Sequence, residues 1–171
     1  GKRCLVTMKH VGVNVAADPL FTAAYTGVGG GLVLLAADDP GMYSSQNEQD
    51  SHYYAQAAHV LMLDPADSQE AYDLTRSAFD LSERFDVPVM IRSTVRISHT
   101  KTPVEPASPQ SAPEQAPYET DPSKWVMMPA FAKGRRLAQI ERDEALRAWA
   151  DGSDLNLRIL RSSEKGIICA G

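Results

Sequence analysis

The chain has 171 residues, 43% of them hydrophobic and 23% charged, with a formal net charge of -5. This is the size of one modest domain, or of one domain plus an appendage, and the balance of a soluble globular chain. The charge argues against a general nucleic-acid or anionic-membrane binder, and no apolar run approaches the roughly 20 residues needed to span a bilayer.

Cys4-Leu5-Val6-Thr7-Met8 reads as a strand, followed by the stretch His10-Val11-Gly12-Val13-Asn14. Val15 to Thr26 is helix-like; either Asp18 caps a helix starting at Pro19, or Pro19 kinks a longer one. Gly27, Gly29, Gly30 and Gly31 end it as a turn, with no helix after them to make a phosphate loop. Leu32 to Ala37 is a continuous apolar run, the pattern of a strand buried on both faces. After the polar loop Asp38–Gln46, Ser45-Gln46-Asn47-Glu48 reads as a capping box for a short helix through about Ala58. Val60 to Leu63 is a third strand. Asp67-Ser68-Gln69-Glu70 opens the next helix, whose Ala71, Leu74, Ala78, Leu81 and Phe85 recur at alternating spacings of 3 and 4. Val87-Pro88-Val89-Met90-Ile91 is a fourth strand, with Pro88 suited to its beginning. Strands alternating with helices predict a parallel sheet with right-handed crossovers and helices on both faces.

Composition shifts at about Ser98. Residues 101–122 hold six of the eleven prolines and predict an extended surface linker. Trp125-Val126-Met127-Met128-Pro129 is an apolar segment, and Leu137 to Trp149 has helix-forming composition closed by Gly152. Lys133, Arg135 and Arg136 read as a solvated helix start. The closing run Gly166–Gly171 is strand-like, so the chain opens and closes inside elements and is expected to be a piece of a longer polypeptide. Gly1 to Val6 contain no long apolar signal core. Cys4 and Cys169 both look strand-embedded and form no CxxC, which excludes a disulfide scaffold or a zinc ribbon and reads as a reducing, cytoplasmic compartment.

In parallel sheets ligands bind beyond the carboxyl ends of the strands. Two loops are expected there, Met8–Asn14 and Ala37–Asp50. Each has a plain reading too. Lys9 and His10 are either surface residues or proton-handling groups, Ser45 and Glu48 cap a helix, and Asp38 and Asp39 either end a strand in water or serve the site.

Thr7-Met8-Lys9-His10-Val11-Gly12-Val13-Asn14-Val15-Ala16-Ala17-Asp18-Pro19 resembles a motif of the α subunits of indolepyruvate ferredoxin oxidoreductases. So do Ala37-Asp38-Asp39-Pro40-Gly41 running into Ser44-Ser45-Gln46-Asn47-Glu48-Gln49-Asp50, then Pro88–Thr94, Arg96–His99, Trp125–Pro129 and Gly166-Ile167-Ile168. The proline-rich stretch resembles nothing in particular. The resemblance implies an α/β fold: a three-layer parallel sheet of the thiamine diphosphate-binding (PYR domain) type, truncated, plus a linker and a helical tail. Residues 1–98 would be the latter part of that domain, 99–124 the linker, 125–165 a connecting helical segment, and 166–171 the first strand of a following α/β domain.

The implied activity is oxidative decarboxylation of arylpyruvates such as indolepyruvate to aryl-acetyl-CoA, with ferredoxin as electron acceptor. The implied cofactors of the whole enzyme are thiamine diphosphate with Mg2+ and 4Fe-4S clusters. The implied partners are a β subunit, ferredoxin, coenzyme A and the arylpyruvate, with no nucleic acid and no membrane. The resemblance places the cofactor-activating glutamate, the diphosphate-binding domain and the Cys-rich domain outside this chain; two cysteines do not ligate a four-cysteine cluster, so no cofactor is expected to be held by these residues alone. Within them, Lys9 and His10 are the candidate catalytic residues, and Asn14, Ser45, Gln46, Asn47, Gln49 and Asp50 the candidate cofactor-binding ones, with no metal ligands. Another thiamine diphosphate-dependent 2-oxoacid oxidoreductase or decarboxylase, or a non-catalytic assembly module of the same fold, are the alternatives.

Overall fold

Four parallel strands form one sheet in the computed structural model, which describes residues 2–109, 120–159, 161–162 and 165–168. They are β1 (Cys4–Lys9), β2 (Leu32–Asp38), β3 (Leu61–Leu63) and β4 (Val89–Thr94), in the order β1-β2-β4-β3. β2 has a partner on each edge, with Leu34 opposite Val6 on one side and Met90 on the other. That explains its unbroken apolar sequence. Side chains alternate across the pleat. Leu34, Ala36 and Met90 join one core with Val13, Leu20, Ala24, Ala55 and Ala58 from the helices α1 (His10–Val15), α2 (Ala17–Thr26) and α3 (Ser51–Ala58). Val33, Val89 and Ile91 join the other with Ala78 and Leu81 of α4 (Ser68–Phe85).

The connections β1→β2 and β2→β3 run one way across the sheet, and β3→β4 runs back. Right-handed crossovers then require α4 to lie on the face opposite α1–α3, as it does. The α4 stripe is as predicted: Asp67 caps it by accepting from Glu70 N at 2.9 Å, and Glu70 accepts from Ala66 N at 2.8 Å. β1 is an edge strand. Its Cys4, Leu5 and Thr7 are exposed, and one side of its backbone has no ladder partner among the described residues.

Three local expectations are corrected. The stretch after β1 is helical from His10, and the break comes at Ala16. Pro19 cannot donate to the Val15 carbonyl and its ring crowds it, so a continuous helix is interrupted one turn earlier than the proline itself. The helix after β2 starts at Ser51, capped by Asp50, five residues later than a capping box at Ser45 requires. β4 begins at Val89, because Val87 N is drawn to Ser82 O at 3.2 Å.

After α5 (Val95–His99), residues 100–109 carry no regular element and lie along α4, where Gln69 and Glu105 exchange hydrogen bonds and Arg76 donates to Ser108 O. Residues 110–119 of the proline-rich stretch lie outside the described residues. A short α6 (Pro122–Trp125) leads to α7 (Pro129–Asp151), longer than its sequence pattern suggested. Gly166, Ile167 and Ile168 are exposed and outside the sheet; Cys169 to Gly171 lie outside the described residues.

The basic cluster on α7 is not simply a solvated helix start. Helices α2, α3 and α4 end at the sheet's amino edge, where each leaves carbonyls without intrahelical donors. Arg135 donates to Tyr25 O and Thr26 O at 3.1 and 3.0 Å. Arg142 donates to Ala24 O, Tyr25 O and Asp86 O. Buried Gln139 donates to Ala58 O at 2.9 Å. Cations at helix carboxyl ends are also favoured by the helix dipoles. Asp86 completes the junction. Its αL backbone ends α4, and its carboxylate accepts from Val28 N and Lys124 Nζ. Gly27, at φ 82°, is required there because a Cβ would overlap that carboxylate.

Arg142→Leu should cost roughly 2–4 kcal/mol, since several partly buried carbonyls lose charged donors. Arg147→Ala, whose side chain is 73% exposed and paired with Asp143 one turn away, should cost about 0.5 kcal/mol or less. Urea denaturation of both variants measures the difference. Equal costs would show that the α7 contacts do not hold this edge together.

Candidate functional site

The loops after β1 and β2 leave toward α1–α3, whereas β3 and the segment after β4 lead to the α4 face. The change of direction falls between the adjacent carboxyl ends of β2 and β4, the position where open parallel sheets bind ligands. The chain places its densest polar groups there.

Asp38 ends β2 and Asp39 follows it, and neither stands in water: they are 2% and 4% exposed. Their side chains leave on opposite sides of the strand. Asp39 holds the following loop, accepting from Tyr43 N, Ser44 N and Ser45 Oγ at 3.0, 2.9 and 2.6 Å. Glu48 closes the same loop by accepting from Gly41 N at 3.2 Å. Ser45 and Glu48 are therefore committed to the loop, which is why they do not cap a helix. The loop's tip is tight, with φ 82° at Gly41 and 55° at Met42. Hydrogen bonds from the Ser45 hydroxyl and then the Ser44 N–H hold the Asp39 carboxyl below its ordinary range, burial opposing them and Lys9 assisting.

Asp38 turns the other way. It accepts from Ser51 N at 3.0 Å, Ser51 Oγ at 2.5 Å and Arg92 Nε at 2.7 Å. Arg92 also lies 3.6 Å from Asp64 and 3.9 Å from Asp50. Both ring nitrogens of His52 face carboxylates, Nδ1 to Asp50 at 2.6 Å and Nε2 to Asp64 at 3.2 Å. Burial alone would lower Arg92, but the Asp38 hydrogen bond and the three carboxylates hold it above its ordinary value. Burial likewise pushes Asp50 up, and its His52 hydrogen bonds with Arg92 outweigh that and hold it low.

The two polar stretches meet, as the strand order requires. His10 is fully buried, and its Nε2 lies 3.1 Å from the carbonyl oxygen of Asn47, so Nε2 carries the donated proton. Its Nδ1 has no partner among the described residues. Above it runs an array of amides and one phenol. Asn14 Nδ2 donates to Tyr54 Oη at 2.6 Å and to Gln49 Oε1 at 3.2 Å, and Gln49 Nε2 donates to Asn47 Oδ1 at 3.0 Å. Tyr54 Oη in turn donates to Gln49 Oε1.

Of the residues singled out in the sequence, His10, Asn14, Asn47 and Gln49 come together. Lys9 is exposed at the end of β1, and Gln46 is exposed without a hydrogen bond among the described residues. Ser45 and Asp50 anchor the two ends of the loop. Sequence reasoning missed Tyr54, His52, Asp64 and Arg92. Only Arg92 left a signal: an arginine directly after Val89-Met90-Ile91 in a buried strand needs a carboxylate.

Because the Asp39 carboxyl is depressed in the folded chain, its contribution is present above the unfolded value near 3.8 and lost as pH falls through the lower folded value. Protection of the Tyr43 and Ser44 amides, measured against their intrinsic exchange rates, should therefore fall on acidification below about pH 4. Asp39→Asn should exchange fast at neutral pH and lose that dependence. Unchanged protection in the variant would show that the loop is held by something else.

The family described as pyruvate flavodoxin/ferredoxin oxidoreductase, thiamine diphosphate-binding, matches residues 34–149. The chain is 43% identical over 172 residues to "Indolepyruvate oxidoreductase subunit IorA" of Archaeoglobus fulgidus and 42% identical over 174 residues to the protein of that name from Methanothermobacter thermautotrophicus. Both alignments cover 100% of the chain and 28% of the relative, so the chain spans little more than a quarter of their length. A more distant relative, "2-oxoglutarate synthase subunit KorA" of Methanothermobacter marburgensis, is 29% identical over 105 residues, 56% of the chain and 28% of that protein. The parallel sheet with its polar carboxyl edge and the match over residues 34–149 lead to one statement: the chain belongs to the thiamine diphosphate-binding family of pyruvate flavodoxin/ferredoxin oxidoreductases.

Proposed function

We propose that this chain is the part of an indolepyruvate:ferredoxin oxidoreductase α subunit that forms one wall of its thiamine diphosphate site. The parent enzyme converts an arylpyruvate and coenzyme A to the aryl-acetyl-CoA and CO2, and the released electron pair passes to ferredoxin. Mg2+, the 4Fe-4S clusters and the β subunit belong to the parent assembly, in the cytoplasm. No helix among the described residues is long and apolar enough to cross a membrane.

One observation carries the reading. His10 on the first polar motif holds the backbone of Asn47 on the second, 37 residues on, and sets the amide array over the carboxyl edge. That array fits the cofactor's aminopyrimidine. Asn14, Asn47, Gln49 and Tyr54 both donate and accept, as a ring with an amino group and ring nitrogens requires. The buried Nδ1 of His10, without a partner among the described residues, is a further acceptor. Asn14, Asn47 and Gln49 would hold the ring, with Gln46 beside them. Ser45 and Asp50 keep the loop in place.

Thiamine diphosphate, when bound, supplies the nucleophilic carbon and the electron sink for decarboxylation. This chain's residues bind and orient. The exposed ammonium of Lys9 offers a positive charge to the carboxylate of the 2-oxoacid. His10, buried beneath the array, keeps its Nδ1 lone pair available to a proton or donor at the site.

The full-length protein with its partner subunit should reduce ferredoxin in a reaction that needs both indolepyruvate and coenzyme A. Reduction with 2-oxoglutarate but not indolepyruvate would move the assignment toward the class of the more distant relative. Lys9→Ala should lower kcat/KM for the 2-oxoacid about tenfold or more with an unchanged melting temperature. His10→Ala should also cost roughly 1–3 kcal/mol of stability, because the Asn47 carbonyl loses its donor. Normal turnover in both variants would remove them from the reaction.

A further inference from the structure

We infer that Arg92 is a positioning residue, fixing the loop between Asp39 and Ser51, and with it the amide array, by standing as a shared counter-charge among three carboxylates that the topology brings together. β4 lies between β2 and β3, so a side chain at the end of β4 reaches both neighbours. Arg92 pairs in register with Ala36, on the face that carries Asp38. Asp38 ends β2, Asp64 follows β3, and Asp50 caps α3. All three converge on the one guanidinium.

Asp38 and Asp64 have little access to water, their side chains being 1% and 16% exposed, and they come from fixed strand ends. Asp50 is 44% exposed. Without Arg92 the charges of buried Asp38 and half-buried Asp64 would repel Asp50, the most exposed of the three. Asp50 is bonded in sequence to Gln49, so its departure displaces the residues that carry the array and the cap of α3. His52 bridges Asp50 and Asp64 but lies on the solvent side, at 45% exposure, and does not reach Asp38. Arg92 meets Asp38 through Nε and Asp64 through Nη1. A lysine ammonium is a single point and cannot hold both in the same way.

Arg92 does not itself belong to the array, and its side chain is 14% exposed. Its role is to hold the loop that carries the array. What the array holds rests on the function proposed above; the role of Arg92 toward the loop does not.

The test compares Arg92→Met, Arg92→Lys and Arg92→Met with Asp64→Asn in the full-length protein. Hydrogen exchange without ligand should accelerate in residues 46–53 of Arg92→Met, with β4 and α4 unchanged. Removing one carboxylate in the double variant should restore much of the protection. In a thiamine diphosphate titration followed by intrinsic fluorescence, Arg92→Met should weaken binding about tenfold or more, with Arg92→Lys between it and the wild type. Turnover at saturating cofactor should stay within about twofold, because Arg92 touches no reacting atom. Unchanged exchange in residues 46–53, or acceleration spread evenly over β4 and α4, would overturn the inference. If Arg92→Met does not fold, Arg92→Lys carries the same comparison. If the wild type binds no thiamine diphosphate, the proposed function falls, and the exchange measurement still decides the role of Arg92.

Discussion

All four strands run the same way, so their chemistry-bearing loops leave from one edge and the helices that return the chain arrive at the other. Each edge then presents its own electrostatic problem. The carboxyl edge collects acidic residues at strand ends and a helix cap. The amino edge collects the bare carbonyls of three helix ends. Arginines answer both. Arg92 balances carboxylates beneath the site, while Arg135 and Arg142 supply donors to carbonyls on the far side. The guanidinium suits both tasks, because its planar fork of donors serves several oxygens at once and keeps its charge when partly buried.

The loop over the site is held at its two ends by different carboxylates. Asp39 is satisfied by the loop itself, through Tyr43, Ser44 and Ser45. Asp50 is held from outside, by His52 and Arg92. The array between them therefore depends on both local sequence and sheet topology. A change in β4 reaches it without touching any residue of the loop.

Long elements with a strong period were legible in the sequence. The Ala71–Phe85 stripe gave α4, and the unbroken Leu32–Ala37 run gave the central strand, because burial on one or both faces leaves a direct pattern. Short elements were not. The capping-box letters at Ser45 and Glu48 were present, but stronger partners at Asp39 and Gly41 took those side chains. Pro19 marked a break but not its position, since the clash falls four residues upstream. The two long polar motifs were expected at one edge of the sheet, and the approach of His10 to Asn47 there follows from strand order. The carboxylate cluster could not be read, because Asp38, Asp50, Asp64 and Arg92 lie on four segments and meet only once the sheet is ordered β1-β2-β4-β3.

The docking of α7 also bears on how the chain is made. Arg142 bonds to a carbonyl 118 residues earlier in the sequence, at Ala24. On a ribosome adding about 5–20 residues per second, the carboxyl end of α2 waits roughly 6–24 seconds before that donor is even synthesised. During that interval the nascent sheet can pair its strands, but its lower rim stays open to water and to chaperones. Closure is therefore a late event in vectorial synthesis, and a ribosome pause within the proline-rich stretch would prolong the exposed stage without altering the final fold.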